Sequence, residues 1–294
     1  MNICFIGGGN MATALIGGLL QQNFSATQLR VVEISADNRA RLQQTFGVQG
    51  TAELAVGIAG SDVIVLAVKP QQLREVARQM APLLAGKSTP APLLISIAAG
   101  IRAADLAGWL GTENLVRAMP NTPALIQSGI TGLYALPSVS RVQRDAAQAV
   151  MSAVGDILWL EEEAMMDAVT AVSGSGPAYV FYFIEALQQA AGELGFDAQQ
   201  ARRLAIATFR GASKLADVSA DDVSVLRARV TSKNGTTERA LLSMEENAVK
   251  KHIVDAVHVA AIRSAKMGEE LGEELGEKQS EEQGNAFVSG NRSC

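Results

Sequence analysis

The sequence predicts an α/β fold, with a doubly wound parallel sheet in the first half of the chain and an all-helical second half. Three observations predict it. Short apolar runs alternate with helical patterns as far as residue 160. The near-continuous run Asp62-Val63-Ile64-Val65-Leu66-Ala67-Val68 has the pattern of a strand buried on both faces. No convincing strand pattern follows Leu160, where helical periodicity takes over.

Taken in order, residues 2–6 read as a first strand and 11–22 as the helix after it. Residues 30–34 read as a second strand, followed by a charged helix over 36–46. Further strands are expected at 62–68, 93–97, 115–119, 131–135 and 157–160. Helices are expected at 164–172, 178–194, 198–215, 221–230, 236–247 and 248–271. The boundary then falls near Glu161–Glu163, giving a sheet domain over residues 1–162, a helical domain over 163–272 and a tail over 273–294. The segment from Gly268 carries a glycine every fourth residue, each weakening a helix by roughly 1 kcal/mol relative to Ala. The acidic tail is therefore expected to be disordered.

The 294 residues are 48% hydrophobic and 19% charged, a globular balance with enough chain for two cores. The net charge of -5 resides in the tail, where seven glutamates from Glu269 onward face only Lys278 and Arg292. The rest of the chain sums to about zero, so no basic face and no nucleic-acid partner are expected. Two cysteines, Cys4 in a core strand and Cys294 at the last position, make no disulfide framework and fit a reducing cytoplasm. His252 and His258 are six residues apart, off a common helix face, so no metal site is expected. The apolar N-terminus has no leading Lys or Arg and is broken by three glycines. It reads as strand, turn and helix rather than a signal peptide. No other uncharged stretch is long enough for a bilayer, so no membrane partner is expected.

Residues Ile6-Gly7-Gly8-Gly9-Asn10-Met11-Ala12 fit G-x-G-x-x-A between a first strand and a first helix. Alone, such a run is also what a plain turn contains; its placement makes it a Rossmann-type dinucleotide fingerprint. Gly7 allows the tight turn, Gly9 a close approach of backbone to pyrophosphate, and Ala12 close helix packing. The helix N-terminus presents free N–H groups to phosphate. Glu33, 21 residues after Ala12, stands where a carboxylate accepts from the ribose 2′-hydroxyl of NAD. Ser35, Asn38 and Arg39 follow and suit the 2′-phosphate of NADP instead. Equally, Glu33 can cap the strand edge and Arg39 face solvent, so both NADP and NAD stay open. Ala67-Val68-Lys69-Pro70 ends the strand over 62–68, at the edge where ligands sit in such sheets. Pro70 suits a first helical turn, and Lys69 reads either as a cofactor contact or as a surface lysine. The run Ser96 to Gly100 brings small residues, Ala98 among them, to the next strand end, as close approach of a nicotinamide requires.

Three further motifs complete the pattern: Val116-Arg117-Ala118-Met119-Pro120-Asn121-Thr122-Pro123, Ser173-Gly174-Ser175-Gly176-Pro177-Ala178-Tyr179 and Val230-Thr231-Ser232-Lys233-Asn234-Gly235-Thr236-Thr237. With the N-terminal glycines and the Ala67–Pro70 segment, they resemble pyrroline-5-carboxylate reductase over about residues 1 to 268. Two of the three lie in the helical half, where a generic dinucleotide-binding protein shares nothing. The resemblance implies hydride transfer from NAD(P)H to the cyclic imine of Δ1-pyrroline-5-carboxylate, giving L-proline. It implies a homodimer, assembled further in many members, with an interlocked helical domain and each active site near the subunit interface. It makes Thr237 the catalytic contact to the substrate amine. Ser232, Gly235 and Thr236, in one loop with Asn234, hold the substrate carboxylate. Ser175 borders the substrate pocket, and Asn121 lies near the nicotinamide.

The residues themselves agree with that chemistry. A protonated imine is already electrophilic, so its reduction needs a placed hydride donor and a carboxylate clamp. Small residues opening a helix at 232–237 can converge N–H groups and hydroxyls on an anion. An ordinary N-cap followed by Glu238 is the plainer reading of that segment. The loop over 173–177 is equally a capped helix connection, with Pro177 in the first turn. The family commonly reads S-P-G-G-T-T where this chain reads Ser232-Lys233-Asn234-Gly235-Thr236-Thr237. Asn tolerates the left-handed conformation, so the loop shape is expected to survive. A β-hydroxyacid dehydrogenase of related layout would carry a catalytic lysine after the glycine-rich loop, and residues 178–189 contain none. A non-enzymatic dinucleotide sensor would bind cofactor without turnover, and the loop over 232–237 argues against it. A six-membered imine stays open as substrate, one ring carbon being worth only about 1–3 kcal/mol.

Overall fold

The chain is described by a computed structural model covering residues 1–85 and 91–289, with side chains as far as Glu270. Eight strands of the described residues form one sheet in the order β3-β2-β1-β4-β5-β6-β7-β8. They are β1 (Ile3–Ile6), β2 (Leu29–Val32), β3 (Gln49–Thr51), β4 (Val63–Leu66), β5 (Leu93–Ser96), β6 (Leu115–Met119), β7 (Gly129–Ala135) and β8 (Gly155–Trp159). The first half also carries α1 (Asn10–Gln21), α2 (Ala36–Phe46), α3 (Leu54–Ile58), α4 (Pro70–Leu84), α5 (Ala103–Leu110), α6 (Arg141–Met151) and α7 (Met165–Val169). Then come α8 (Gly176–Glu193), α9 (Ala198–Val218), α10 (Val223–Arg229), α11 (Thr236–Glu246) and α12 (Val249–Ser289).

β1, β4 and β5 are buried along their whole length, because helices cover both faces of the sheet. Their side chains alternate between two cores. Ile3, Phe5, Val63, Val65 and Ile95 pack with Leu15, Ile16 and Leu19 of α1 and Val150 of α6. Cys4, Ile6, Ile64, Leu66 and Leu94 pack with Leu73 and Met80 of α4 and Leu106 of α5. Each large aliphatic side chain fully buried here contributes about 1.5–3 kcal/mol of transfer free energy. Burial in this core also pushes the Cys4 thiol up to about 12, which removes it as a nucleophile at neutral pH.

Two strands depart from the expected pattern. β7 runs antiparallel to β6, although every other neighbouring pair is parallel. Only residues 120–128 join them, too few for the crossover that a parallel pair needs. β3, Gln-Gly-Thr, is an edge strand with no apolar pattern to announce it.

The chain divides into two compact units, Met1–Gly174 with Ala260–Cys294, and Ser175–Val259. α7 and the distal part of α12 belong with the sheet. Ser264 Oγ donates to Asp167 at 2.7 Å, Arg102 faces Glu269 at 3.7 Å, and Gly268 lies against the carbonyl of Gly100. Helical periodicity marks an element but not the unit it packs with. The tail expected to be disordered over 273–294 continues α12 as helix to Ser289, glutamate being a good helix former; residues 290–294 lie outside the described residues.

The unit Ser175–Val259 consists of α8 to α11 and the start of α12. Asp197 opens α9 with a capping box, accepting from Gln200 N at 2.8 Å. Phe183 of α8 stacks on Phe209 of α9 at 6.5 Å. Its only buried hydrophobic residues are Ala201 and Ala205, while Val180, Phe181, Tyr182, Leu204 and Leu215 stand exposed. No helix among the described residues is long and apolar enough to cross a membrane.

Candidate active site

The turn from β1 into α1 places the glycines. Gly7 has φ +101°, and a Cβ there would lie 2.8 Å from the Ala67 carbonyl oxygen, so backbone conformation and packing both demand glycine. Gly9 is different. Its φ is -70°, and a Cβ would meet no atom within 4 Å. Nothing in the chain's own packing requires a glycine at Gly9, whereas a closely approaching ligand does. α1 has no side-chain N-cap, so the first-turn N–H groups, beginning with Asn10 and Met11, are left for an external acceptor. These features fit the pyrophosphate of a dinucleotide.

A cavity of about 310 Å³ joins this turn to the ends of β2 and β4. It is lined by Ile6, Gly7, Gly8, Gly9, Ala67, Val68 and Lys69, all expected cofactor residues, together with Glu33, Ile34 and Gln72. Pro70 begins α4 with Lys69 at its N-cap. Ala98 and Asn121 lie just beyond β5 and β6, outside this cavity. Ala98 N donates to Ser96 Oγ at 3.4 Å. Asn121 is nearly buried and held from two sides: its Oδ1 accepts from Ile130 N at 3.0 Å, and its Nδ2 donates to Ser173 Oγ at 3.2 Å.

The residues after β2 have local work. Glu33 accepts from Gly8 N through Oε2 and from Ser35 N through Oε1, each at 2.9 Å. Ser35 Oγ caps α2 by accepting from Asn38 N. Arg39 is not a free surface arginine: its Nη1 donates to the carbonyls of Glu33 at 2.6 Å and Ile34 at 3.0 Å. One residue escapes the sequence reading altogether. Arg41 Nη2 donates to Gly8 O at 3.3 Å and reaches Thr13 Oγ1 at 3.5 Å. An arginine on a charged helix reads as a solvated face, and nothing in the sequence distinguishes it.

Nothing in the sequence pairs Arg117 with Glu163, 46 residues away. Arg117 Nη1 donates to Glu163 Oε1 at 2.5 Å, and the same oxygen accepts from Ala103 N at 2.7 Å. The pair ties β6, which leads to Asn121, to α5 and to the segment before α7.

In the second unit, α11 opens at Gly235 with no side-chain cap. The plain Thr N-cap is thus not what forms; Glu238 instead accepts from Asn234 N at 2.7 Å. Asn234 has φ +60°, the left-handed conformation expected of it. A Cβ at Gly235 would lie 2.3 Å from Ser232 Oγ and 3.0 Å from the Ser232 carbonyl oxygen, so a larger residue there would displace the Ser232 hydroxyl. Among the described residues, the hydroxyls of Ser232, Thr236 and Thr237 make no hydrogen bond, and all three residues are exposed. Ser175 precedes α8 and accepts from Ala178 N through its carbonyl. Among the described residues no group of His, Cys, Asp and Glu could hold a metal ion.

Residues 163–267 match a family model described as pyrroline-5-carboxylate reductase dimerisation, and residues 2–100 match one described as NADP oxidoreductase, coenzyme F420-dependent. The chain is 45% identical to pyrroline-5-carboxylate reductase of Pseudomonas aeruginosa over 269 residues, 91% of this chain and 97% of that protein. The chain belongs to the pyrroline-5-carboxylate reductase family. Solved members superpose well. The Coxiella burnetii structure is 37% identical with a TM-score of 0.86, covering 90% of this chain and 98% of that one. The Plasmodium falciparum enzyme, solved with NADP bound, is 30% identical with a TM-score of 0.79, covering 91% and 98%.

Proposed function

We propose that the chain is a pyrroline-5-carboxylate reductase, transferring a hydride from NAD(P)H to the imine carbon of Δ1-pyrroline-5-carboxylate. A proton on the ring nitrogen completes the reduction to L-proline, the last step of proline biosynthesis. The observation that carries this reading is the uncapped N-terminus of α11, where three hydroxyls, unpaired among the described residues, stand beside first-turn amides that have no partner inside the helix. That is a receptor for one carboxylate, and the family's substrate offers one beside its C=N bond.

A bound nicotinamide supplies the hydride. The chain's own residues bind and orient. Gly7 and Gly9 shape the turn under the pyrophosphate, the first-turn amides of α1 take its oxygens, and the small residue Ala98 with Asn121 borders the nicotinamide. Ser232, Gly235 and Thr236 hold the substrate carboxylate, with Asn234 setting the turn, and Ser175 borders the substrate. Thr237 Oγ1 hydrogen-bonds the ring nitrogen, which carries the proton. No side chain has to ionise, consistent with chemistry in which the protonated imine is the electrophile.

The assembly is a homodimer that builds a higher homo-oligomer. An 85-residue unit whose buried apolar residues are Ala201 and Ala205 leaves its helix faces uncovered, and a second copy covers them. The enzyme works in the cytoplasm on a small-molecule substrate. Incubation with pyrroline-5-carboxylate and NADPH, followed by amino-acid analysis, should yield L-proline in one-to-one ratio with cofactor oxidised. Oxidation without proline would overturn the assignment.

A further inference from the structure

We infer that Arg41 is the residue that distinguishes a 2′-phosphate from a 2′-hydroxyl on the adenosine ribose, and so sets a preference for NADPH; this rests on the dinucleotide site proposed above. The ribose of a dinucleotide is read at the end of β2. The groups that the sequence offers there are already engaged. Both carboxylate oxygens of Glu33 accept from backbone amides of Gly8 and Ser35 at 2.9 Å. Arg39 is half-buried, and its Nη1 is turned onto the carbonyls of Glu33 and Ile34. Ser35 Oγ caps α2.

Arg41 remains. Its side chain is exposed, its contacts are two neutral oxygens at 3.3 and 3.5 Å, and among the described residues it forms no ion pair. A guanidinium carries five donors in a planar fork, so these contacts leave donors for phosphate oxygens. Anchoring on Gly8 O places the cation beside the residue whose amide holds Glu33. A 2′-phosphate bound there would gain a charge-assisted hydrogen bond from Arg41. Glu33 opposes it, but each of its oxygens already accepts from a loop amide, and among the described residues the Arg41 charge has no counter-ion.

The test is calorimetric binding of adenosine 2′,5′-bisphosphate and of 5′-AMP, which differ only in the 2′-phosphate, to the wild-type chain, Arg41→Gln and Arg41→Lys. The wild type should bind the bisphosphate about 10- to 100-fold more tightly than 5′-AMP. Arg41→Gln should erase most of that ratio and Arg41→Lys should keep part of it. The NADPH-to-NADH ratio of kcat/KM should fall in step. An unchanged ratio in Arg41→Gln, or an equal loss for both nucleotides, would overturn the assignment to Arg41. Failure of the wild type to bind either nucleotide would overturn the dinucleotide site itself, and with it this inference.

Discussion

Gly7 and Gly9 are chemically identical residues with different reasons to be glycine. At Gly7 a methyl group meets the Ala67 carbonyl and a positive φ, so Gly7→Ala should destabilise the fold by about 1–3 kcal/mol. At Gly9 a methyl group meets nothing and φ is ordinary, so Gly9→Ala should leave Tm nearly unchanged or slightly raised and weaken NADPH binding. Thermal melts with and without cofactor check both. Equal destabilisation by the two substitutions would mean that Gly9 serves the fold rather than a ligand. This contrast shows what was legible in the sequence at this scale. The fingerprint names both glycines, and the tolerance of Asn for the left-handed conformation marks Asn234. Arg39 and Arg41 were not separable, because the choice between solvent, a backbone carbonyl and a ligand depends on which turn of α2 faces the glycine loop.

Among the elements, seven of the eight strands and the helices α1 and α2 are legible in the sequence, because a sheet covered on both faces forces continuous apolar runs and helices leave a different period; β3, polar and three residues long, is not. The antiparallel β7 was hidden, since its direction is set by the length of a connection rather than by its own residues. The ion pair between Arg117 and Glu163 is hidden for a different reason: the two are 46 residues apart, and Glu163 stands in a run of three glutamates that reads as a polar boundary. It is a constraint on β6 and thus on Asn121. Glu163→Ala would leave Arg117, 11% exposed, without its partner and α5 without the acceptor for Ala103 N. We expect a loss on the order of 2–3 kcal/mol, below that of a fully buried pair because Glu163 is 25% exposed. Denaturant unfolding measures it, and a loss under about 0.5 kcal/mol would mean the pair behaves as a surface bridge.

For the whole molecule, the second unit poses the question of what covers it. Its helical character is legible, and the family resemblance implies an interlocked dimer, but periodicity alone does not show how little its helices bury within one chain, because an amphipathic face has the same pattern whether it meets its own chain or another. Phe181 and Tyr182 stand 59% and 70% exposed on α8. Phe181→Asp should shift the protein from dimer or larger assembly toward monomer in sedimentation, and activity should fall with dimer content. An active monomer would contradict the role given to this surface.

The central claim is that the loop opening α11 holds the imine substrate for reduction by a cofactor bound at the glycine turn. Steady-state oxidation of NADPH on addition of pyrroline-5-carboxylate, in wild type and Thr237→Ala, tests it most directly. The account predicts rapid oxidation in the wild type and a loss in kcat/KM of about 10- to 100-fold in Thr237→Ala, with NADPH binding retained. Equal activity in the two proteins, or no oxidation by the wild type with either NADPH or NADH, would contradict it.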